Sequence, residues 1–255
     1  MNRDAYLQRI GYTGTLAPTA TTLAALHVAH LRAVPFENLD ISRGQPIRLD
    51  LPSLYAKIVT RRRGGFCYEL NGLFAWLLDD LGYQVDRLAA GVARQAGGFG
   101  PSFDHLTLRV RCPRGETPWL ADVGFGDSFV TPLRLDTPTE QPDGGRAYRL
   151  DPEGETRILW QRDAADDWER QYRFDLLPHN LAEYEPMCLY HQTSPQSSFT
   201  QRRVCTLATA DGRVTLAEGR LITTRGGERE ERPVAEAERA AILRGVFGVS
   251  LEEQP

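Results

Sequence analysis

The chain has 255 residues, a formal net charge of −4 and a pI near 5.8, a balance that gives no electrostatic footprint for nucleic acid or an anionic membrane. Hydrophobic content of 41% and charged content of 25% describe an ordinary soluble globular protein with enough chain for a substantial core. No apolar run reaches membrane-spanning length and no secretory leader opens the chain, so a cytoplasmic location is expected.

Residues 1–60 read as helical. Asp4 to Ile10 starts a short helix that Gly11 and Gly14 interrupt, and Thr21 to Val34 carries a second. His27 and His30 sit three apart on that second helix, but no third ligand is in view, so they read as core-edge histidines. Pro35 ends the helix, and Leu51 to Val59 predicts another that leads into Arg61-Arg62-Arg63. A triple Arg is commonly a solvated face; the alternative is that one of the three ties the following Gly-Gly turn to an acid such as Glu37.

From Leu70 the apolar residues fall at Leu70, Leu73, Phe74, Leu77, Leu78 and Leu81, the rhythm of one buried helical face that Gly82 stops. Counting back from Leu70 places Cys67 in phase with that face, in the first turn, after Gly64-Gly65. Unpaired amides and the helix dipole favour an anion there, which makes Cys67 a candidate nucleophile held toward its thiolate. The plainer reading is a small, inert, buried thiol. Cys112, Cys188 and Cys205 are widely spread, with no Cys-x-x-Cys pair and no His at ligand spacing, so neither a metal site nor a disulfide scaffold is expected.

After Gly82 the period becomes alternating. Val85 to Arg94, then Leu106, Leu108 and Val110, then Trp119 to Val123 predict strands, with a flexible loop at Gly97-Gly98-Phe99-Gly100-Pro101. His105, Thr107 and Arg109 share one strand face, and Leu120 and Asp122 share a face of the next. A turn centred between Pro113 and Arg114 pairs positions summing to 227, which sets His105 directly opposite Asp122; a one-residue slip separates them. With the thiol of Cys67 they would form a Cys-His-Asp triad, His105 as base and Asp122 holding the imidazole tautomer.

From Gly124 to Leu177 short alternating runs suggest a second, largely antiparallel β unit. Asn180 to Tyr190 predicts a short helix interrupted at Pro186, Asp211-Gly212 and Gly226-Gly227 mark hairpins, and Ala235 to Phe247 is a closing amphipathic helix.

The string Arg63-Gly64-Gly65-Phe66-Cys67-Tyr68-Glu69-Leu70-Asn71 resembles the active-site signature of arylamine N-acetyltransferases. Val34-Pro35-Phe36-Glu37-Asn38-Leu39, Asp122-Val123-Gly124-Phe125-Gly126 and Ser194-Pro195-x-Ser197-x-Phe199 match the same family, in order and at similar spacing. The resemblance implies an α+β fold in three parts: an N-terminal helical bundle over residues 1–82 carrying the nucleophile, a central antiparallel β-barrel over 83–180 carrying His105 and Asp122, and a C-terminal α/β lid over 181–255, around a cysteine-protease-like core. It implies a ping-pong reaction in which Cys67 takes acetyl from acetyl-CoA and passes it to an arylamine, arylhydroxylamine or hydrazine, with no metal. Phe36, Phe125 and Phe199 match positions that line the acceptor pocket, with plain core packing as the alternative for each. Arg63 and Glu37 are expected to pair and anchor the loop before Cys67. An amide synthase of the same fold, closing a macrolactam from a carrier-bound acyl chain, would use the same triad. A binding protein with a degenerate triad and a cysteine protease fit the motifs less well.

Overall fold

The computed structural model describes residues 1–115, 117–163 and 167–251. Helix α1 (Arg3–Arg9) starts at Asn2, whose side chain accepts the Ala5 amide, and α2 (Ala20–Ala33) starts at Thr19, which does the same for Thr22. These caps satisfy amides that a helix leaves unpaired. A two-residue strand β1 (Phe36–Glu37) and a single turn α3 (Leu39–Ser42) follow. The helix expected over Leu51 to Val59 is present but changes pitch: α4 (Leu51–Tyr55) is capped by Asp50 and widens into a π-helical turn over Ala56–Thr60.

Helix α5 (Cys67–Asp80) is the axis of the molecule. The sequence predicts a single buried face. The structure buries nearly the whole circumference, Tyr68, Glu69 and Asn71 as well as Leu70, Leu73, Phe74, Leu77 and Leu78. A helix covered all round belongs to the interior, and α5 is covered by α1 and α4 on one side and by sheet strands on the other.

That sheet has eight antiparallel strands: β2 (Gln84–Val92), β3 (His105–Arg111), β4 (Pro118–Ala121), β5 (Leu133–Arg134), β6 (Gln141–Asp143), β7 (Arg146–Glu153), β8 (Thr156–Asp163) and β9 (Glu169–Asp175). Their order is β5-β4-β3-β2-β9-β8-β7-β6. The pairing of β2 with β9 makes the expected second β unit part of the first, a correction that no local pattern could supply. The free edges nearly close a barrel, since the Gln141 side chain bonds both the amide and the carbonyl of Arg134, at 2.7 and 3.0 Å. Leu106, Leu108 and Val110 of β3 pack toward α5, while Leu88, Leu120, Tyr172 and Phe174 fill the barrel.

Beyond the barrel, a 3-10 turn (Leu181–Tyr184) runs into α6 (Glu185–Thr193), so Pro186 sits in the first turn of that helix, where its missing N–H costs nothing, rather than interrupting it. After α7 (Ser198–Gln201) come β10 (Val204–Ala208), β11 (Gly212–Ala217), β12 (Arg220–Arg225), β13 (Glu228–Pro233) and α8 (Glu236–Phe247). These four strands continue β1 in a second antiparallel sheet, Phe36 opposite Thr206 and Glu37 opposite Cys205. The segment 1–82 therefore lends a strand to the sheet of segment 181–255. No helix among the described residues is long and apolar enough to cross a membrane.

Candidate active site

The turn before α5 is shaped by a neighbouring strand. A Cβ on Gly64 would lie 2.0 Å from the Pro35 carbonyl oxygen, so only glycine fits, and the Gly65 carbonyl accepts the Glu37 amide at 2.8 Å. The Phe66 amide donates to Glu69 Oε2 at 3.1 Å and closes the first helical turn. Cys67 is thereby the first residue of α5, 3% exposed.

Arg63, unlike its exposed neighbours Arg61 and Arg62, is buried in a charged cluster. Its guanidinium donates to Glu37 Oε1 at 2.7 and 3.0 Å and to Asp40 Oδ1 at 2.9 Å. Lys57 Nζ reaches Asp40 Oδ2 at 2.9 Å and Glu69 Oε1 at 2.7 Å. Sequence reasoning named Arg63 and Glu37 but not Lys57, Asp40 or Glu69. Burial opposes ionisation of Asp40, yet the Lys57 and Arg63 charges hold its carboxyl below the usual carboxylate range. Burial also opposes the Lys57 charge, and the carboxylates of Glu69, Glu37 and Asp40 keep it firmly protonated. The cluster fixes the backbone on both sides of the Gly64-Gly65 turn and so the direction in which α5 begins.

His105 is the first residue of β3, and Asp122 follows the last residue of β4. The ladder pairs Leu108 with Ala121 and Arg109 with Leu120, so facing positions sum to 229 and not to the expected 227. The difference is two residues, which preserves the face. His105 Nε2 and Asp122 Oδ2 meet at 2.7 Å, as diagonal neighbours rather than direct partners. Asp122 Oδ1 accepts from Asn71 Nδ2 at 2.8 Å and from the Gly124 amide at 3.0 Å, and Oδ2 also accepts the Tyr172 hydroxyl at 3.0 Å. Burial opposes the carboxylate, but His105 and these donors hold it below its ordinary range. With Nε2–H committed to a carboxylate, Nδ1 is the ring nitrogen left to accept a proton.

The thiol and the imidazole belong to one neighbourhood. A Cβ on Gly124, two residues beyond Asp122, would lie 2.8 Å from Cys67 Cα and 3.0 Å from its carbonyl oxygen. Asn71, one turn beyond Cys67, donates to the Leu106 carbonyl at 2.7 Å and accepts the Val123 amide at 2.9 Å, stitching α5 to β3 and to the segment that follows β4. Its i+4 spacing from Cys67 was visible in the sequence; Tyr172, on a distant strand, carried no signal. Contrary to the expectation from the helix terminus, burial pushes the Cys67 thiol up.

Phe36, Phe125 and Phe199 are each half-buried. Phe36 and Phe199 pack with ring centroids 6.2 Å apart, Phe66 lies 5.6 Å from Phe199, and Phe125 stands edge-on to His105 at 5.2 Å. A Cβ on Gly126, whose φ is 95°, would meet the Phe36 ring at 3.5 Å. The loop at Gly97 to Phe103 ends against α5, where the Tyr68 hydroxyl donates to the Phe103 carbonyl at 2.6 Å. His27 and His30, expected at the core edge, are fully buried, and no cluster of His, Cys, Asp and Glu among the described residues could hold a metal ion.

Comparison with known proteins extends the motif match to most of the chain. A family model described as N-acetyltransferase matches residues 19–255. The arylamine N-acetyltransferase of Mycolicibacterium smegmatis is 36% identical over 234 residues, covering 90% of this chain and 85% of that protein. The solved arylamine N-acetyltransferase of M. tuberculosis superposes with a TM-score of 0.91 at 34% identity, over 97% of this chain and 94% of that one. The Mycobacterium marinum enzyme, solved in complex with CoA, gives 0.91 at 35% identity, over 97% and 93%.

Proposed function

The chain belongs to the arylamine N-acetyltransferase family, and on that premise we propose that it carries acetyl from acetyl-CoA to small arylamines, arylhydroxylamines or hydrazines by a ping-pong reaction through acetyl-Cys67. The observation that carries this reading is the 2.7 Å bond between His105 Nε2 and Asp122 beside the helix terminus that bears Cys67.

In the first half-reaction, His105 Nδ1 takes the thiol proton as the sulfur attacks the thioester carbonyl of acetyl-CoA. A tetrahedral intermediate forms, with its oxyanion at the positive end of α5. It collapses by breaking the bond to the CoA sulfur, which leaves with the proton returned by the imidazolium. In the second half-reaction the amine nitrogen attacks the acetyl-cysteine carbonyl and gives its proton to His105. The Cys67 sulfur departs, recovers that proton, and the acetylated amine is released. Asp122 keeps the proton on Nε2, so that Nδ1 presents its lone pair in each attack. The half-buried faces of Phe36, Phe125 and Phe199 suit a flat aryl acceptor.

Mass spectrometry of the intact protein tests both halves. Acetyl-CoA alone should add one acetyl group, mapped to Cys67, and a simple arylamine should then remove it. Acetylation that persists after Cys67→Ala would overturn the proposal.

A further inference from the structure

One imidazole closes both ends of the loop that carries Asp122. His27 lies on α2, completely buried. Its Nε2 is 3.0 Å from the Asp122 backbone nitrogen, and its Nδ1 is 2.7 Å from the Val130 carbonyl oxygen. A backbone N–H can only donate and a carbonyl can only accept, so these two partners fix the ring: the lone pair is on Nε2 and the proton on Nδ1. The Asp122 amide needs such a partner, because β4 ends at Ala121 and supplies no ladder bond at the next residue.

The ring itself is held. Phe129 lies nearly parallel to it with centroids 5.7 Å apart, and Phe74 of α5 meets it edge-on at 6.1 Å. Val130 is fixed from its other side by its amide, which donates to the Asp143 carboxylate. Between the tethered ends run Gly124, packed on Cys67, and Phe125, packed on His105. Protonation would turn Nε2 into a donor facing another donor, and burial keeps the ring neutral. An apolar side chain of similar volume would fill the same space and leave the Asp122 amide unpaired.

We propose that His27 is a positioning residue for acetyl transfer: as the neutral Nδ1–H tautomer it cinches the Asp122–Val130 loop, and thereby sets where the Asp122 carboxylate meets His105 and where Phe125 stands beside the acceptor. The inference rests on the reading of Cys67, His105 and Asp122 as a triad.

The test compares His27→Phe, which keeps the ring and loses both polar atoms, with His27→Gln, whose carboxamide oxygen reaches the position of Nε2. In single-turnover acetylation of Cys67 followed by intact mass, His27→Phe should be about tenfold to a hundredfold slower, since small misplacements of reacting groups have that effect. His27→Gln should recover most of the rate, and the KM for the arylamine should rise in the Phe variant through the displaced Phe125. The hydrogen-bonded Nε2 proton of His105, read by NMR, should shift in the Phe variant and return in the Gln variant, a response that loss of packing alone does not produce. Wild-type acetylation by His27→Phe while Asp122→Asn is slow overturns the proposal and leaves the triad standing; wild-type rates in both variants overturn the triad itself. Should His27→Phe not fold, nitrogen NMR of histidine-labelled wild type decides instead: at pH 7 to 8 His27 must be the neutral Nδ1–H tautomer, and an Nε2–H tautomer overturns the idea.

Discussion

His105 and Asp122 face one another diagonally across the β3–β4 hairpin, not directly, and still bond at 2.7 Å. Strand side chains alternate with a period of two, so a register error of two residues changes the angle of approach and keeps both groups on one face. If the carboxylate holds the imidazole tautomer, Asp122→Asn should acetylate Cys67 far more slowly than wild type. A comparable change in a serine triad lowers turnover by about 10⁴. Single-turnover acetylation across pH 6 to 8 is the measurement, and an unchanged rate would remove Asp122 from the mechanism.

Tyr172 shares Asp122 Oδ2 with His105, and its ring packs on both His105 and Phe125. Tyr172→Phe keeps the ring and removes one hydrogen bond to a charged acceptor, worth about 1.5 to 3 kcal/mol. We expect kcat to fall by about tenfold or more and the melting temperature to drop by a few degrees. A lower melting temperature with an unchanged kcat would instead mark the hydroxyl as structural.

The four cysteines should differ in reactivity. Cys188 is pushed up to about 12 by burial, and burial also raises Cys112 and Cys205. Cys67 starts from the same handicap, but on the proposed mechanism His105 takes its proton. Iodoacetamide at pH 6 should therefore label Cys67 first in the wild type. In His105→Ala the raised thiol should be unreactive at that pH and label only as the solution becomes strongly alkaline. Labelling of Cys67 at pH 6 that survives His105→Ala would show that the thiolate needs no imidazole.

The charged cluster beneath the Gly64-Gly65 turn should govern stability more than chemistry. Removing one partner of a buried ion pair costs about 3 to 5 kcal/mol, chiefly by stranding the other charge. Arg63→Ala should thus melt well below wild type, while the exposed Arg61→Ala should not. The folded pKa of Asp40 lies below its unfolded value, so its contribution is complete above about pH 4 and is lost as the pH falls through the folded value. Asp40→Asn should consequently show a shallower drop in melting temperature between pH 5 and pH 3, despite starting lower.

Gly124 tests how closely the β4 loop sits on the nucleophile. A Cβ there would collide with Cys67 Cα and carbonyl oxygen and with Asn71 Nδ2, at 2.7 to 3.0 Å. Backbone cannot swing aside as a flexible side chain can. Gly124→Ala should move the loop and depress Cys67 acetylation by about a hundredfold. A folded Gly124→Ala protein with wild-type acetylation would show that the loop has slack.

The sequence by itself determined the elements and much of the site's chemistry. Local periodicity placed α2, α5 and α8 and the strand faces of β3 and β4, because side-chain direction follows directly from a period of 3.6 or 2.0. The Gly-Gly-Phe-Cys string located a cysteine at a helix start, and the parity of the hairpin kept His105 and Asp122 together although its centre was misplaced. Only the tertiary structure decided that β2 pairs with β9 to make one barrel, that β1 joins a sheet built from the far end of the chain, and that α5 is buried on every side. Those contacts are long-range, and no short window of sequence encodes them. For the same reason Lys57, Asp40 and Glu69 beneath the turn and Tyr172 beside Asp122 were assigned no role, and His27 was read only as a core-edge histidine: each looks ordinary where it stands in the chain. What distinguishes them is desolvation, which makes an unpaired charge or amide costly and leaves each group only the partner that the fold brings to it.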